Sequence, residues 1–356
     1  ITPGIPVPGP KHAPADDARR PRYMVGCASA LSGARRHDEA LALFERALVI
    51  ASQLPGDQRK LRELVLANQA SSLLSAKQYE RAVAAAREAA VLQRELHGDL
   101  HPGLLASLNT LAIALKSLGR LEEARPVYDE VLACAEKLHG RESDRYAIFE
   151  ANRAGLLDDL GDHAGARALY EDAWARFLRV TTPDLPQAVT CRSNMAGVYM
   201  RAADWAPARA AYEDVLPRIA KADDDTGTRL PHLLVNLGLC CEALDDDAAA
   251  GLAYERSYAV ADRFKDGARS FRMARAGCHQ ARLLVRVGEI ERARELIAKL
   301  VEYCAKNPDR TAIVALTRFD QGLLALADAD RATAEAHFAA LATMTERDAE
   351  ADWIPA

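Results

Sequence analysis

The stretch "LASLNTLAIALKSLGRLEEARPVYDEVLACAEKLHG", residues 105–140, reads as two amphipathic runs separated by a glycine. Before Gly119, Ala112 and Leu115 fall on one side of a helical wheel; after it, Ala124 and Tyr128 stand one turn apart. Glycine between two such runs is the residue type that ends a helix in a left-handed turn. The spacing predicts a helical hairpin, helix A then helix B, whose members approach closely through the two alanines.

The same pattern recurs along the chain. Ala40 precedes Phe44, and Ala124, Ala166, Ala208 and Ala250 precede Tyr128, Tyr170, Tyr212 and Tyr254 by four residues each; Ala82 fills the slot between 40 and 124. These six alanines are 42 residues apart, and Ala293 and Ala334 continue the series with steps of 43 and 41. Twelve positions before each lies another small residue: Ala28, Ala70, Ala112, Ala154, Ala196, Gly238, Ala281 and Gly322. A larger side chain at both slots would hold the two helices apart. Leu31, Leu73, Leu115, Leu157, Tyr199 and Leu284 share a bulky helix-A slot, and Gly119, Gly161 and Gly288 mark the turn in three repeats. A period of this length is the mark of a repeat array, in which each unit buries its apolar face only against its neighbours.

The hairpin resembles a tetratricopeptide repeat in the 42-residue form of the kinesin light chain family. The connector "LHGDLHPGLLASLNTLA", residues 96–112, is similar to that family's linker. The resemblance spans roughly residues 22–348 as eight repeats, with Ala86 and Ile297 replacing the aromatic in two of them. It implies an all-α, right-handed superhelical solenoid with helices A on the concave side. It implies little about function, because the fold is a scaffold.

Composition agrees with this reading. Alanine is abundant, aromatics are 6% and the net charge is -5, so no overall basic field draws nucleic acid. Only 9 of the 46 basic residues are lysine, so the positive charge is mostly guanidinium. Seven scattered cysteines without a CxxC pair argue against a disulfide framework or a zinc site and fit buried thiols in a reducing, cytoplasmic setting. No apolar run is long enough to cross a membrane. Residues 1–21 hold six prolines and are expected to be an extended arm or linker; residues 349–356 form a short tail in which Trp353 and Ile354 are candidates to fold back. A first residue Ile1 rather than Met is read as a fragment or a processed form.

Taking the first small residue as position 8, positions 2, 6, 9 and 13 of helix A form one stripe, which the resemblance places along the groove. Position 6 carries Asn68, Asn152, Asn194 and Asn236, and glycine occupies position 9 beside two of them, Gly155 and Gly197. An asparagine amide can bond both the N–H and the C=O of a peptide unit, so this row suits an extended ligand backbone. The competing reading is that each amide bonds a neighbouring helix. In "MARAGCHQARLLVRVG", residues 273–288, Arg275, His279, Arg282 and Arg286 occupy the four stripe positions, with His232 and Arg201 in stripe positions of earlier repeats. Such a stripe suits an acidic group on the ligand, and His279 would add a pH dependence near pH 6–7. The alternative is internal pairing with Glu242 and Asp320. Glu150 and Arg192, in adjacent repeats at a slot that is normally bulky, are expected to pair, with Arg153 joining them.

No enzyme motif is present: no P-loop, GxGxxG, HExxH or GxSxG. Cys278 and His279 are sequence neighbours on a helix and point about 100° apart, so they are no catalytic dyad. Cys240 and Cys241 read as core, and the acidic runs "KADDDTG" and "LDDDAAA" as solvated turns. Carboxylate-clamp members of the superfamily use a lysine at position 5, and none stands there in any repeat. The expected function is therefore a non-catalytic module, without cofactor or metal, that holds a peptide or protein tail. Exchange of the proline-rich arm between copies would give self-association. The alternative is the sensor half of a larger signalling protein whose kinase, NTPase or protease domain lies outside this chain.

Overall fold

The computed structural model describes residues 19–180, 186–222, 229–262 and 267–347. The proline-rich arm over 1–18, the acidic loop at 223–227, and Trp353 and Ile354 lie outside the described residues. Two compact units divide between Thr182 and Pro183. In the first, the helices are α1 (Arg19–Gly33), α2 (His37–Gln53), α3 (Arg59–Ser75), α4 (Tyr79–His97), α5 (Pro102–Ser117), α6 (Leu121–His139), α7 (Asp144–Asp159) and α8 (His163–Val180). In the second they are α9 (Pro186–Arg201), α10 (Trp205–Ala222), α11 (Leu230–Ala243), α12 (Asp247–Asp262), α13 (Gly267–Arg286), α14 (Ile290–Lys306), α15 (Thr311–Ala327) and α16 (Arg331–Arg347). Odd helices are A and even helices are B, so the described residues hold eight hairpins and the fold is an all-α solenoid.

The small residues sit where the repeat requires. Ala28, Ala70, Ala112, Ala154, Ala196 and Ala281 on helices A are fully buried, and so are Ala40, Ala82, Ala124, Ala166, Ala208, Ala250 and Ala293 on helices B. Tyr128, Tyr170, Tyr212, Tyr254 and Phe44 are likewise inside. Burying a side chain such as Phe44, Leu73 or Leu115 contributes about 1.5–3 kcal/mol over leaving it exposed. Where position 8 is glycine the approach is tighter still: a Cβ on Gly238 would lie 2.3 Å from the Tyr254 ring, and one on Gly322 would lie 2.5 Å from Phe338. Within each unit A helices also touch the next A helix, α1 with α3, α3 with α5, α5 with α7, α11 with α13 and α13 with α15.

Each hairpin turn uses one geometry. The seventh residue after position 8 has positive φ in all eight repeats: Arg35, Lys77, Gly119, Gly161, Ala203, Asp245, Gly288 and Ala329. The following N–H then returns to the carbonyl of the bulky helix-A slot, as in Arg120 N to Leu115 O at 3.0 Å and Asp204 N to Tyr199 O at 2.9 Å. Five of the eight left-handed positions are not glycine, which is why the sequence reveals the turn in only three repeats. At the amino end α1 starts at Arg19, inside the span expected to be an extended arm. Pro21 falls in the first helical turn, where a missing N–H removes no intrahelical bond.

Candidate functional site

Structure separates the four position-6 asparagines into two groups. In the first unit both amides are used internally. Asn68 Nδ2 donates to Leu64 O at 2.8 Å and Oδ1 accepts from Ser29 Oγ at 3.3 Å. Asn152 Nδ2 donates to Asn109 Oδ1 at 3.0 Å. In the second unit Asn194 is exposed and has no side-chain partner among the described residues. Asn236 Nδ2 donates to Tyr212 Oη at 3.1 Å and lies 3.5 Å from His232 Nε2, with Oδ1 unpartnered among the described residues. Beside Asn194, Gly197 lies under the Arg201 guanidinium; a Cβ there would reach it at 3.6 Å and Tyr212 Oη at 4.0 Å. Asn194, Gly197, Arg201, His232 and Asn236 are thus brought to neighbouring helices of the second unit around Tyr212. Arg201 and His232 are both exposed.

The basic stripe on α13 is largely neutralised from within. Arg286 pairs with Glu242 Oε2 at 3.1 Å and with Asp247, and Glu242 also accepts the Tyr254 hydroxyl. Arg282 Nε lies 3.2 Å from Asp320 Oδ1, whose side chain is wholly buried, and its guanidinium sits 6.0 Å over the Phe319 ring. His279 stacks on Tyr254 with centroids 5.5 Å apart, and its Nδ1 is 3.3 Å from Arg282 Nη2. Burial, together with the cations Arg282 and Arg275, pushes the His279 pKa down to about 3. The expected pH dependence of this histidine near neutrality is therefore corrected: it stays neutral. Asp320 moves the other way, up to about 7, because burial outweighs its attraction to Arg282. Arg275 differs from the other stripe members: it is half-buried, with no hydrogen bond or ion pair among the described residues. Burial, then the neighbouring Arg282 charge, lowers its pKa.

Other pairings differ from the sequence expectation. Glu150 pairs with Arg176 of its own hairpin, which also covers the Tyr146 ring at 5.5 Å. Arg192 faces Asp214 Oδ2 at 3.5 Å, and Arg153 bonds Asp129 Oδ1 at 2.9 Å. A helix-A side chain at these slots reaches a B helix sooner than the next A helix. Burial raises the Glu150 pKa to about 7 despite Arg176. Cys278, Cys240 and Cys241 are buried free thiols, and Cys278 Sγ contacts Thr317 Oγ1 at 3.8 Å while His279 faces Tyr254. The run "LDDDAAA" is built into the fold: Asp246 caps α12 through Ala249 N at 3.1 Å and pairs with Arg209 at 2.9 Å.

Tyr212 and Tyr254, both buried, and Glu242 hold these residues from within, and the stripe positions alone do not reveal Tyr212 or Tyr254. A signal existed, because four consecutive repeats place Tyr rather than Phe at the buried aromatic slot. A buried phenol hydroxyl usually seeks a partner, and in repeats 5 and 6 it finds one on helix A. Among the described residues no group of His, Cys, Asp and Glu is arranged to hold a metal ion. Nor is any described helix long and apolar enough to cross a membrane.

Comparisons with known proteins agree with the geometry. Residues 61–137 and 104–179 match the family model described as tetratricopeptide repeat. No curated protein sequence matches the chain. Among solved structures, the apo form of the quorum sensor NprR from B. thuringiensis has a TM-score of 0.66 at 14% identity, covering 94% of this chain and 90% of that one. A signal transduction ATPase with numerous domains and a tetratricopeptide repeat sensor, from Pyrococcus horikoshii, has a TM-score of 0.68 at 11% identity, covering 93% of this chain and 48% of that one. A variant of the kinesin light chain-type repeat array of Podosopora anserina gives 0.50 at 21% identity over 60% of this chain and 99% of that one. Residues 61–179 thus match the tetratricopeptide repeat family, and the described residues on either side continue the same helical-hairpin fold, which is similar to that of solved tetratricopeptide repeat structures.

Proposed function

We propose that the chain is a non-catalytic interaction module that holds an extended peptide or protein tail against the A helices of its second unit. The observation that carries this reading is Asn194. Its amide is exposed and unpartnered among the described residues, and Asn236 of α11 keeps its carbonyl oxygen open. Two amides of this kind can pair an extended backbone whose own polar groups have no other partner. Asn68 is set apart from that role because both its amide nitrogen and its amide oxygen are bonded internally. A random peptide library selected on the wild-type chain tests this. Asn194→Ala is expected to weaken the selected peptides about 5–10-fold, the size of one net hydrogen bond, and Asn68→Ala to leave them unchanged. Equal binding by wild type and Asn194→Ala overturns the reading.

A second reading is that the array is the sensor part of a larger signalling protein. It is favoured by the Pyrococcus horikoshii ATPase, of which this fold covers about half, 48%. The same surface would then read a ligand or an effector domain. The coding sequence flanking this chain decides the matter: an adjoining kinase, NTPase or protease domain supports it.

A further inference from the structure

The stripe on α13 holds three cationic side chains, and one of them has no acidic partner among the described residues. Arg286 has two carboxylates, Glu242 and Asp247, and Arg282 has Asp320. Arg275, one and two turns away from His279 and Arg282, has none among the described residues, although it is half-buried. A half-buried charge without a counterion is unfavourable, and a second cation nearby makes it more so. Within the stripe the fold tolerates this at one place, Arg275.

His279 supplies a second donor there. A guanidinium N–H can only donate, so the 3.3 Å contact from Arg282 Nη2 makes His279 Nδ1 the acceptor. The proton of the neutral imidazole is then on Nε2, and the stacked Tyr254 ring fixes the plane in which it points. His279 Nε2 has no partner among the described residues.

We propose that Arg275 and the Nε2–H of His279 form the seat for one carboxylate, with Arg282 adding field from behind. This rests on the peptide-binding reading and places the ligand's acidic group on Arg275, not along the whole stripe. Arg282 and Arg286 serve to hold the α13 face against its neighbours α11, α12 and α15. A carboxylate fits the guanidinium fork with charge-assisted bonds, and little further desolvation is needed on the protein side.

The test titrates the full chain with two probes at constant ionic strength, against chloride: N-acetylglycylglycine, which mimics a chain terminus, and the α-amide of N-acetylaspartic acid, whose free β-carboxylate mimics an acidic side chain. Thermal unfolding and the ¹⁵N resonances of His279 are recorded together. Wild type is expected to gain about 2–4 °C saturably with at least one probe, whose identity names the source of the carboxylate, and His279 Nε2–H is expected to shift with it. Arg275→Met is expected to lose both responses while unfolding no earlier than wild type without probe, since an unpaired charge has been removed. Arg286→Met is expected to keep both. No saturable response of wild type to either probe, a response that survives Arg275→Met, or Nδ1 carrying the His279 proton in wild type overturns the seat. Should Arg275→Met fail to fold, Arg275→Gln and the wild-type ¹⁵N titration decide the same question. A selected peptide that Arg275→Met holds as tightly as wild type also sinks the seat, yet leaves the peptide reading standing. A carboxylate response without any selected peptide does the reverse.

Discussion

Asn152 in the first unit and Asn194 in the second stand in the same repeat slot, 42 residues apart. One donates to Asn109; the other faces solvent. The difference lies in their neighbours. Position 5 of the repeat before Asn152 offers an amide acceptor, whereas no described side chain takes up Asn194. Charge follows the same division. In the first unit the buried acid Glu150 has its own cation, Arg176, inside one hairpin. In the second unit Arg275 is half-buried with no acid beside it among the described residues. A repeat therefore repeats the backbone and the small-residue contacts, while the polar surface is assigned hairpin by hairpin.

The sharpest way to break this comparison is to remove one cation from each unit. Arg176→Met should destabilise the chain by about 3–5 kcal/mol at pH 8, because it strands a buried carboxylate. At pH 6 the loss should shrink, since Glu150 titrates near 7 and can protonate. Arg275→Met should cost nothing measurable. Urea unfolding of both variants checks the pair, and equal losses would remove the distinction between the units.

Next in size is the glycine contact. The first unit accepts Ala112 against the core that holds Tyr128, but Gly238 meets Tyr254 with no room for a Cβ. Gly238→Ala should cost about 1–3 kcal/mol by urea unfolding. A neutral substitution would mean that the α11–α12 hairpin can open without penalty.

A smaller effect concerns pH. Glu150 and Asp320 both have folded pKa values near 7, raised above their usual ranges by burial. A raised folded pKa means that the native state holds protons which the unfolded state has released between about pH 4 and 7. Stability from these groups is therefore greatest at low pH and is lost as pH rises through 7. Asp320→Asn should flatten that slope in the second unit by roughly 1–2 kcal/mol between pH 6 and 8. Glu150→Gln should do so in the first. Unfolding midpoints at the two pH values measure both, and an unchanged slope would show that Arg282 keeps Asp320 ionised.

The smallest expected change is at the turns. Gly161 and Ala203 occupy the same left-handed position in successive repeats, with φ of 83° and 55°. Ala203→Gly should stabilise by about 0.5–1 kcal/mol, and Gly161→Ala should destabilise by a similar amount. Opposite signs from these two variants, measured by urea midpoint, are the outcome a shared turn requires.

Much of the fold was legible in residue spacing because it depends on volume. Two helices can approach only where both present hydrogen or methyl, so Ala124, Ala112 and their counterparts recur at fixed intervals. The turn was legible at Gly119, Gly161 and Gly288, and hidden at Arg35, Lys77, Ala203, Asp245 and Ala329, where the same φ is imposed on residues that do not favour it. The stripe positions were also legible, since helical periodicity alone puts Arg275, His279, Arg282 and Arg286 on one face. Which of those groups remains charged and unpaired was decided by tertiary structure. Asp320 comes from the next hairpin, Glu242 and Asp247 from the preceding one, and their reach depends on rotamers and burial that no spacing records. Backbone periodicity is a local property of the chain; the partner of a side chain is set by whatever the neighbouring helix brings within about 3 Å of it.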